Sequence, residues 1–508
     1  MIDQCATDAA AQELLNMDEV KVDPTWALRV PPALAMRRNV LPFASLDGHV
    51  HVACVNDQDH AALQAVERYV NLPVRAELAD PASLKRALNR IFGHALASRG
   101  GDGKPLMART IDPKAAADPD SSDAVALCDE LLYAAMVREA SDIHIDPGEA
   151  NVLVRFRVDG VLEPYRQLPT PALIGVISRF KVVSGMDIAE KRAPQDGRFT
   201  HRLGTSGQKV DIRVATLPTK YGERMTLRLL AMQTESLTVE RLGMCERDLV
   251  FFEQAIAKPH GMILLTGPTG SGKSTTLYAA LRRLMQCRNG NIVTIEDPIE
   301  YDIAGVAQVE VDSADKVSFD RALRSVLRHD PDIVMIGEIR DRETAGVAIK
   351  AALTGHLVFS TLHTNSAAGV VTRLQDMGVD RYLVAATLRL AVAQRLVRRL
   401  CRRCRKPRPL EEAEARTLHC PEAAGRTVYE PGGCLYCANR GYAGRLAIFE
   451  LMPSDEALSR AIAEGCDEAA MLQRMRQANI PTLIEDATAK LFAGDATVRD
   501  VLASVTVW

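Results

Sequence analysis

The stretch GMILLTGPTGSGKST, Gly261–Thr275, decides the fold. Gly261–Thr266 is an apolar run of strand length, and Leu277, Leu281, Leu284 and Met285 give the segment after the stretch one apolar helical face. Between them Gly267, Pro268, Thr269, Gly270, Ser271, Gly272, Lys273 and Ser274 satisfy the spacing of a phosphate-binding loop, with Thr275 continuing it. Strand, glycine-rich loop and helix in that order form a nucleotide cradle. Gly267, Gly270 and Gly272 let the backbone fold back and present N–H groups to β- and γ-phosphate oxygens at the helix N-terminus. Lys273 is expected to neutralise those oxygens and Ser274 to ligate Mg2+. ATP and Mg2+ are therefore the expected cofactors.

Downstream, apolar runs at Ile292–Ile295, Ile333–Ile336 and Leu357–Ser360 alternate with helix-like segments such as Thr275–Cys287. That alternation implies a parallel sheet covered by helices. Ligands of such sheets bind at the carboxyl ends of the strands, where Glu338 follows Ile333–Ile336 and Glu296 follows Ile295. Glu338 is expected to meet magnesium, directly or through water. One of Glu296 and Glu338 is expected to orient the attacking water, because phosphoryl transfer depends on positioning and charge neutralisation. His356 and His363 flank the run Leu357–Leu362, and His363, at the strand end, is a candidate γ-phosphate sensor or subunit contact.

Upstream, His49–Val55 alternates like a strand and Ala61–Val70 has near-helical spacing, which marks a small α/β module over residues 1–92. Its last helix is predicted over Ser83–Phe92 with Ser83 as N-cap. Residues 93–122 are rich in Gly, Ala, Ser, Asp and Pro without an apolar period, the composition of a tether. A helix over Asp123–Ala140 and alternating strands at Val152–Val158 and Val210–Val214, the first turning at Asp159-Gly160, predict an α+β domain over 123–235. The nucleotide-binding domain then occupies 236–508.

The whole chain is compatible with this layout. Its 508 residues exceed one core, and 47% apolar with 25% charged residues is the balance of a globular protein. A net charge of −3 and 5% aromatic residues argue against a nucleic-acid translocase on the same core and against any nucleic-acid partner. No apolar run reaches eighteen residues and Met1–Ala11 lacks the pattern of a signal peptide, so a cytoplasmic protein is expected.

Of eleven cysteines, four form two CxxC knuckles, Cys401/Cys404 and Cys434/Cys437. Four thiolates close a tetrahedral Zn2+ site with no open position for chemistry, so a structural zinc insert is expected over 398–444. Such a metal contributes roughly 10–16 kcal/mol of apparent binding free energy to ordering a segment. Arg395, Arg398, Arg399, Arg402, Arg403, Arg405, Lys406 and Arg408 form a basic run around the first knuckle. It reads as a solvated face, with contact to anionic inner-membrane lipid or an acidic partner as the alternative.

The loop Gly267–Ser274, the acidic box TIEDPIE (Thr294–Glu300), GEIRD (Gly337–Asp341) and TGH…STLHTN (Thr354–Asn365) resemble the four nucleotide-site motifs of the secretion ATPases of the GspE/PilB class. SDIHIDP (Ser141–Pro147) and QDGR (Gln195–Arg198) resemble motifs of that family's preceding PAS-like domain, so the likeness runs from about Asp123 to the C-terminus. It implies an α/β, RecA-like P-loop NTPase core preceded by an α+β PAS-like domain. It also implies a homo-hexamer in which Arg198 and Arg213 of the preceding domain reach the phosphates, with Arg324, Arg340 and Arg373 near the site or a subunit interface. The tetracysteine insert and the added N-terminal residues favour an assembly motor: type II secretion, with type IV pilus assembly as the alternative. The N-terminal module is the expected dock for an inner-membrane platform protein, which would place the chain peripherally at that membrane.

Overall fold

The computed structural model describes residues 14–92, 122–203, 208–230, 238–311 and 318–505. The tether expected over 93–122, apart from its last residue, and the boundary expected at 235 lie outside them. The chain forms two compact units. One takes in residues up to 232 together with 403–405 and 431–443; the other takes in 233–402, 406–430 and 444–508.

The first unit opens with the N-terminal module, a sheet of β1 (Val40–Leu46), β2 (His49–Cys54) and β3 (Val74–Leu78) in that order. β1 and β2 are antiparallel, and β3 joins β2 in parallel through the helix His60–Val70. The predicted cap at Ser83 is displaced. The last helix starts at Pro81, and Asp80 accepts the Ser83 N–H at 2.8 Å. Asp80 followed by Pro81 is the stronger start, because proline at the first helical position fixes φ and forfeits no hydrogen bond. Ser83 Oγ is instead buried as the acceptor of the Met17 N–H at 3.1 Å.

The PAS-like part follows, an antiparallel sheet of β4 (Asp142–Pro147), β5 (Asn151–Val158), β6 (Val161–Pro169), β7 (Gln195–Leu203), β8 (Gln208–Thr219) and β9 (Gly222–Leu229). Its strand order is β6-β5-β4-β9-β8-β7. The alternation read in β5 holds: Val152, Val154, Phe156 and Val158 enter a core shared with the helices Ser122–Val137 and Thr170–Val183, and Arg155 and Arg157 face the other way. Asp159 and Gly160 both have positive φ, 51° and 87°, as a tight two-residue hairpin demands.

The second unit is built on β10 (Gly261–Thr266), β11 (Ile292–Glu296), β12 (Ala307–Glu310), β13 (Ile333–Ile336), β14 (Leu357–Leu362), β15 (Leu388–Leu400) and β18 (Tyr442–Pro453). They form one sheet in the order β12-β11-β13-β14-β10-β15-β18, and β12 through β15 are joined by parallel pairings. Every residue of β10, β11, β13 and β14 is buried, as expected of strands covered on both faces. Leaving β15 at Leu400, the chain makes a short antiparallel pair, β16 (Lys406–Pro409) with β17 (Thr427–Glu430), before returning along β18.

β15 corrects the reading of the basic run. Its first member, Arg395, sits inside this strand and is buried. Arg398 pairs with Asp500 at 2.8 Å, Arg402 with Asp495 at 2.7 Å, Arg403 with Glu19 at 2.8 Å, and Arg408 with Glu414 and Glu430. Arg395 thus leaves the solvated face, while Arg399, Arg402, Arg403 and Lys406 are exposed as read, Arg402 and Arg403 with carboxylates of the same chain beside them.

On β18, buried Glu450 accepts the N–H of Ala367 at 2.7 Å and that of Leu483 at 3.1 Å, joining the loop after β14 to the first turn of the helix Leu483–Phe492. Burial raises its pKa against those two hydrogen bonds. Among the described residues no helix is long and apolar enough to cross a membrane.

Candidate nucleotide site

The interior position of β10, between β14 and β15, places the Gly267–Ser274 loop where β10 and β14 end, beside the middle of the longer β15. The helix Lys273–Cys287 begins where the loop closes, with Gly272 at φ 89°. Gly267 has φ 147°, and a Cβ there would lie 2.4 Å from the Gln394 carbonyl. No larger residue fits between the loop and β15. Ser271 Oγ is buried without a hydrogen-bond partner, a costly state that a phosphate oxygen in the cradle would relieve. Both observations fit a bound polyphosphate.

Lys273 Nζ donates to the carbonyls of Gly267 at 2.7 Å and Pro268 at 3.1 Å. Burial pushes its pKa down to about 8, with Arg395 adding to the depression and Glu338 and Glu300 opposing it. Ser274 and Thr275, half-buried, open the same helix. Thr276 is turned away, its hydroxyl donating to Gln394 Oε1 at 2.9 Å.

The two glutamates occupy different surroundings. Glu296, at the end of β11, is buried, and its carboxyl accepts from the Tyr278 hydroxyl, from Thr294 Oγ1 at 2.7 Å and from Gln308 Nε2 at 3.1 Å. Tyr278 itself is fully buried, and that burial, with Glu296 beside it, drives its pKa upward. Glu338 instead pairs with Arg340 and has His363 Nε2 at 3.5 Å. Burial works against its charge, but Arg340 and His363 outweigh it and hold the carboxyl below its ordinary range. Gly337, just before Glu338, donates its N–H to the Ile295 carbonyl at 2.7 Å, and a Cβ there would lie 3.3 Å from that carbonyl oxygen.

His363 leaves the end of β14 half exposed, and the loop beyond it is fastened by the Thr364 N–H donating to Thr266 Oγ1 at 2.6 Å. The end of the P-loop strand and the histidine loop are thereby one hydrogen-bonded unit. His356 faces elsewhere, its Nδ1 2.9 Å from the Ala351 carbonyl at the close of the preceding helix. Arg340 belongs to the site through Glu338, Arg324 forms a helical pair with Asp320 at 3.4 Å, and Arg373 is exposed on the helix Gly369–Asp376.

Arg198 and Arg213 lie in the first unit as direct cross-strand partners on β7 and β8, and Arg228 on β9 continues the same row. Residues paired this way point to one face of a sheet. The sequence reading did not assign Tyr278, Gln308 or Gln394 to the site, and it counted Arg395 only as part of the basic run. Arg395 donates to the Gln394 carbonyl at 3.0 Å and the Asn365 carbonyl at 3.2 Å, between the P-loop and the histidine loop. The signal was its place in the register of Ala391, Ala393 and Val397 within an apolar run of strand length, which the basic residues after it obscured.

The four cysteines come together as expected. Their sulfurs all lie within 4.8 Å of one another, with Cys404–Cys437 and Cys434–Cys437 each 3.8 Å apart. Sulfurs about 2.3 Å from the centre of a tetrahedron are about 3.8 Å from each other, so Cys401, Cys404, Cys434 and Cys437 fit Zn2+. The Gly441 N–H donates to Cys437 Sγ at 3.2 Å, the kind of outer contact that steadies a thiolate ligand.

A parallel sheet with a P-loop at its carboxyl edge and two acidic strand ends beside it defines a RecA-like P-loop ATPase. The chain matches the family described as "Type II/IV secretion system protein" over residues 118–503, and an MshEN domain over 11–98. It is 42% identical over 491 residues to the type II secretion system protein E of Pseudomonas aeruginosa, covering 93% of this chain and 95% of that one. It is 39% identical over 507 residues to the type IV pilus assembly ATPase PilB of Myxococcus xanthus, covering 96% and 88%. Among solved structures, the pilus retraction motor PilT with bound ADP superposes with a TM-score of 0.52 at 28% identity over 74% of this chain and 95% of that one. The ATPase DotB of Legionella pneumophila shares the fold, with a TM-score of 0.56 at 23% identity over 74% and 94%. The chain belongs to the type II/IV secretion system family and is a secretion ATPase of the GspE/PilB kind.

Proposed function

We propose that this ATPase is the hexameric motor of a type II secretion machine, coupling ATP hydrolysis to domain motion that assembles pseudopilins for protein export. The observation that carries the ATPase reading is the cluster of Lys273, Glu338 and His363 at adjoining strand ends. Full-length likeness to type II secretion proteins supports the secretion assignment. Mg2+ at Ser274 and Glu338 would neutralise the β- and γ-phosphates, and Lys273 would exchange the two loop carbonyls for phosphate oxygens. Glu338, ionised and paired with His363, suits the carboxylate that orients water near magnesium. Glu296, saturated by three donors, suits the fixing of the strand end. Arg198 and Arg213 would approach the phosphates from the mobile preceding domain, so that γ-phosphate presence and domain position are linked. Zn2+ would be held by the four cysteines. The N-terminal module would meet an inner-membrane platform protein and keep the motor at that membrane.

Glu338→Gln tests the chemistry. ATP hydrolysis should fall about 100-fold or more with nucleotide affinity nearly kept, and unchanged turnover would reject the assignment. Deleting the gene in its host separates the two machines: loss of exported proteins from the medium supports type II secretion, whereas loss of surface pili with export intact supports pilus assembly.

A further inference from the structure

The two residues between the second pair of cysteines, Leu435 and Tyr436, pack against the hydrophobic core of the first unit. The Tyr436 carbonyl accepts the Lys21 N–H at 2.8 Å. Next to it the Arg403 guanidinium lies 3.8 Å above the Tyr436 ring and pairs with Glu19 at 2.8 Å. Residues 15–22, which make these contacts, belong to the N-terminal module: Met17, Val20 and Val22 are buried, and Leu15 donates its N–H to Leu78 of β3 at 2.9 Å.

The knuckle that offers this surface is drawn tightly around the cysteines. Among its glycines, a Cβ on Gly432 would fall 2.0 Å from the Cys404 carbonyl and one on Gly433 2.0 Å from Asn439 Oδ1, so its path is set by close backbone approach around the cysteines. Leu435 and Tyr436 lie between two ligands, so closing the metal site fixes the direction in which they project. We infer that the metal-closed knuckle is the docking surface for the N-terminal module, and that metal occupancy decides whether residues 15–22 stay seated on it. This rests on the zinc reading given above.

The amide of Lys21 reports the contact, because its acceptor is the knuckle. Those of Leu15 and Asp23 are internal controls: their acceptors, the carbonyls of Leu78 and of Phe43 at 2.8 Å, lie within the module. Residue-resolved hydrogen exchange on the full chain, with zinc measured by atomic absorption, would compare the protein as purified, after chelation, and as Cys434→Ser/Cys437→Ser. Metal loss should speed exchange at Lys21 by about tenfold or more while Leu15 and Asp23 keep their protection. Unchanged exchange at Lys21, or equal losses at all three, overturns the inference. In a second arm at full zinc content, Glu19→Arg or Arg403→Glu should each loosen Lys21, and the double reversal should restore it. Failure of that rescue rejects the docking surface itself. A chain isolated with no zinc rejects the metal reading while the charge swap still decides the contact.

Discussion

Lys273 supplies a prediction whose size comes from the structure. In the site as described its ammonium rests on two loop carbonyls and is held at a pKa of about 8. A triphosphate brings several negative charges against it, which raises that pKa. A cation whose pKa rises on binding takes up a proton, and the uptake occupies the window between the free and bound values. At pH 7 the free site is already about nine-tenths protonated, so Lys273 takes up only about 0.1 proton. At pH 9 about nine-tenths of the free sites have lost that proton, uptake approaches 0.9, and ATP affinity is about tenfold weaker than at pH 7. The terminal phosphate, with a last pKa of about 6, does not interfere at pH 9. Titration calorimetry in two buffers of different ionisation enthalpy reads the uptake as the difference in apparent heat. Lys273→Arg, which cannot lose its charge, should bind with no such difference at pH 9. Equal heats in the two buffers at pH 9 for the unaltered protein, or uptake equal at pH 7 and pH 9, would refute the reasoning.

Further consequences can be tested on the same protein. Tyr278→Phe removes one of the three donors to buried Glu296 and should cost about 1–2 kcal/mol in denaturant unfolding. Gly267→Ala drives a methyl group into the Gln394 carbonyl and should abolish nucleotide binding in a fluorescent-ATP titration while the fold, followed by circular dichroism, persists. Leu264→Ala, a fully buried change in the central strand β10, should destabilise the ATPase unit by about 2–5 kcal/mol. Arg395→Lys keeps the charge but cannot span the two carbonyls that Arg395 bridges. It should raise the KM for ATP with a smaller change in kcat, and an unchanged KM would show that the bridge does not shape the site.

The elements with a strong period were legible in the sequence. The P-loop needs strand, glycines and helix in contiguous order, so Gly261–Cys287 could be read without knowing anything distant. The strands ending at Glu296 and Glu338 were visible for the same reason, and the cysteine spacing led to a closed cluster. Contacts that depend on where remote segments land were not legible. Glu296 and Glu338 looked equivalent as acids after apolar strands; only the arrival of Tyr278 from the P-loop helix and of Gln308 from β12 tells them apart. Arg395 was hidden by its neighbours, because an arginine among seven other basic residues reads as surface until β15 is seen to run beside β10. Ser83 yielded to Asp80 at the helix start, since two residues of capping type competed within one turn.

Glu450 joins places that are far apart along the chain. Its acceptor bonds reach back 83 residues to Ala367 and forward 33 to Leu483. The loop that carries His363 and the helices beyond Leu483 therefore share one buried anchor. A designer who wished to replace this C-terminal helical group would have to supply a substitute donor for Glu450 where Leu483 now stands. Otherwise the buried Glu450 carboxyl, which also holds the loop a few residues beyond the histidine, would be left with one of its two backbone donors missing.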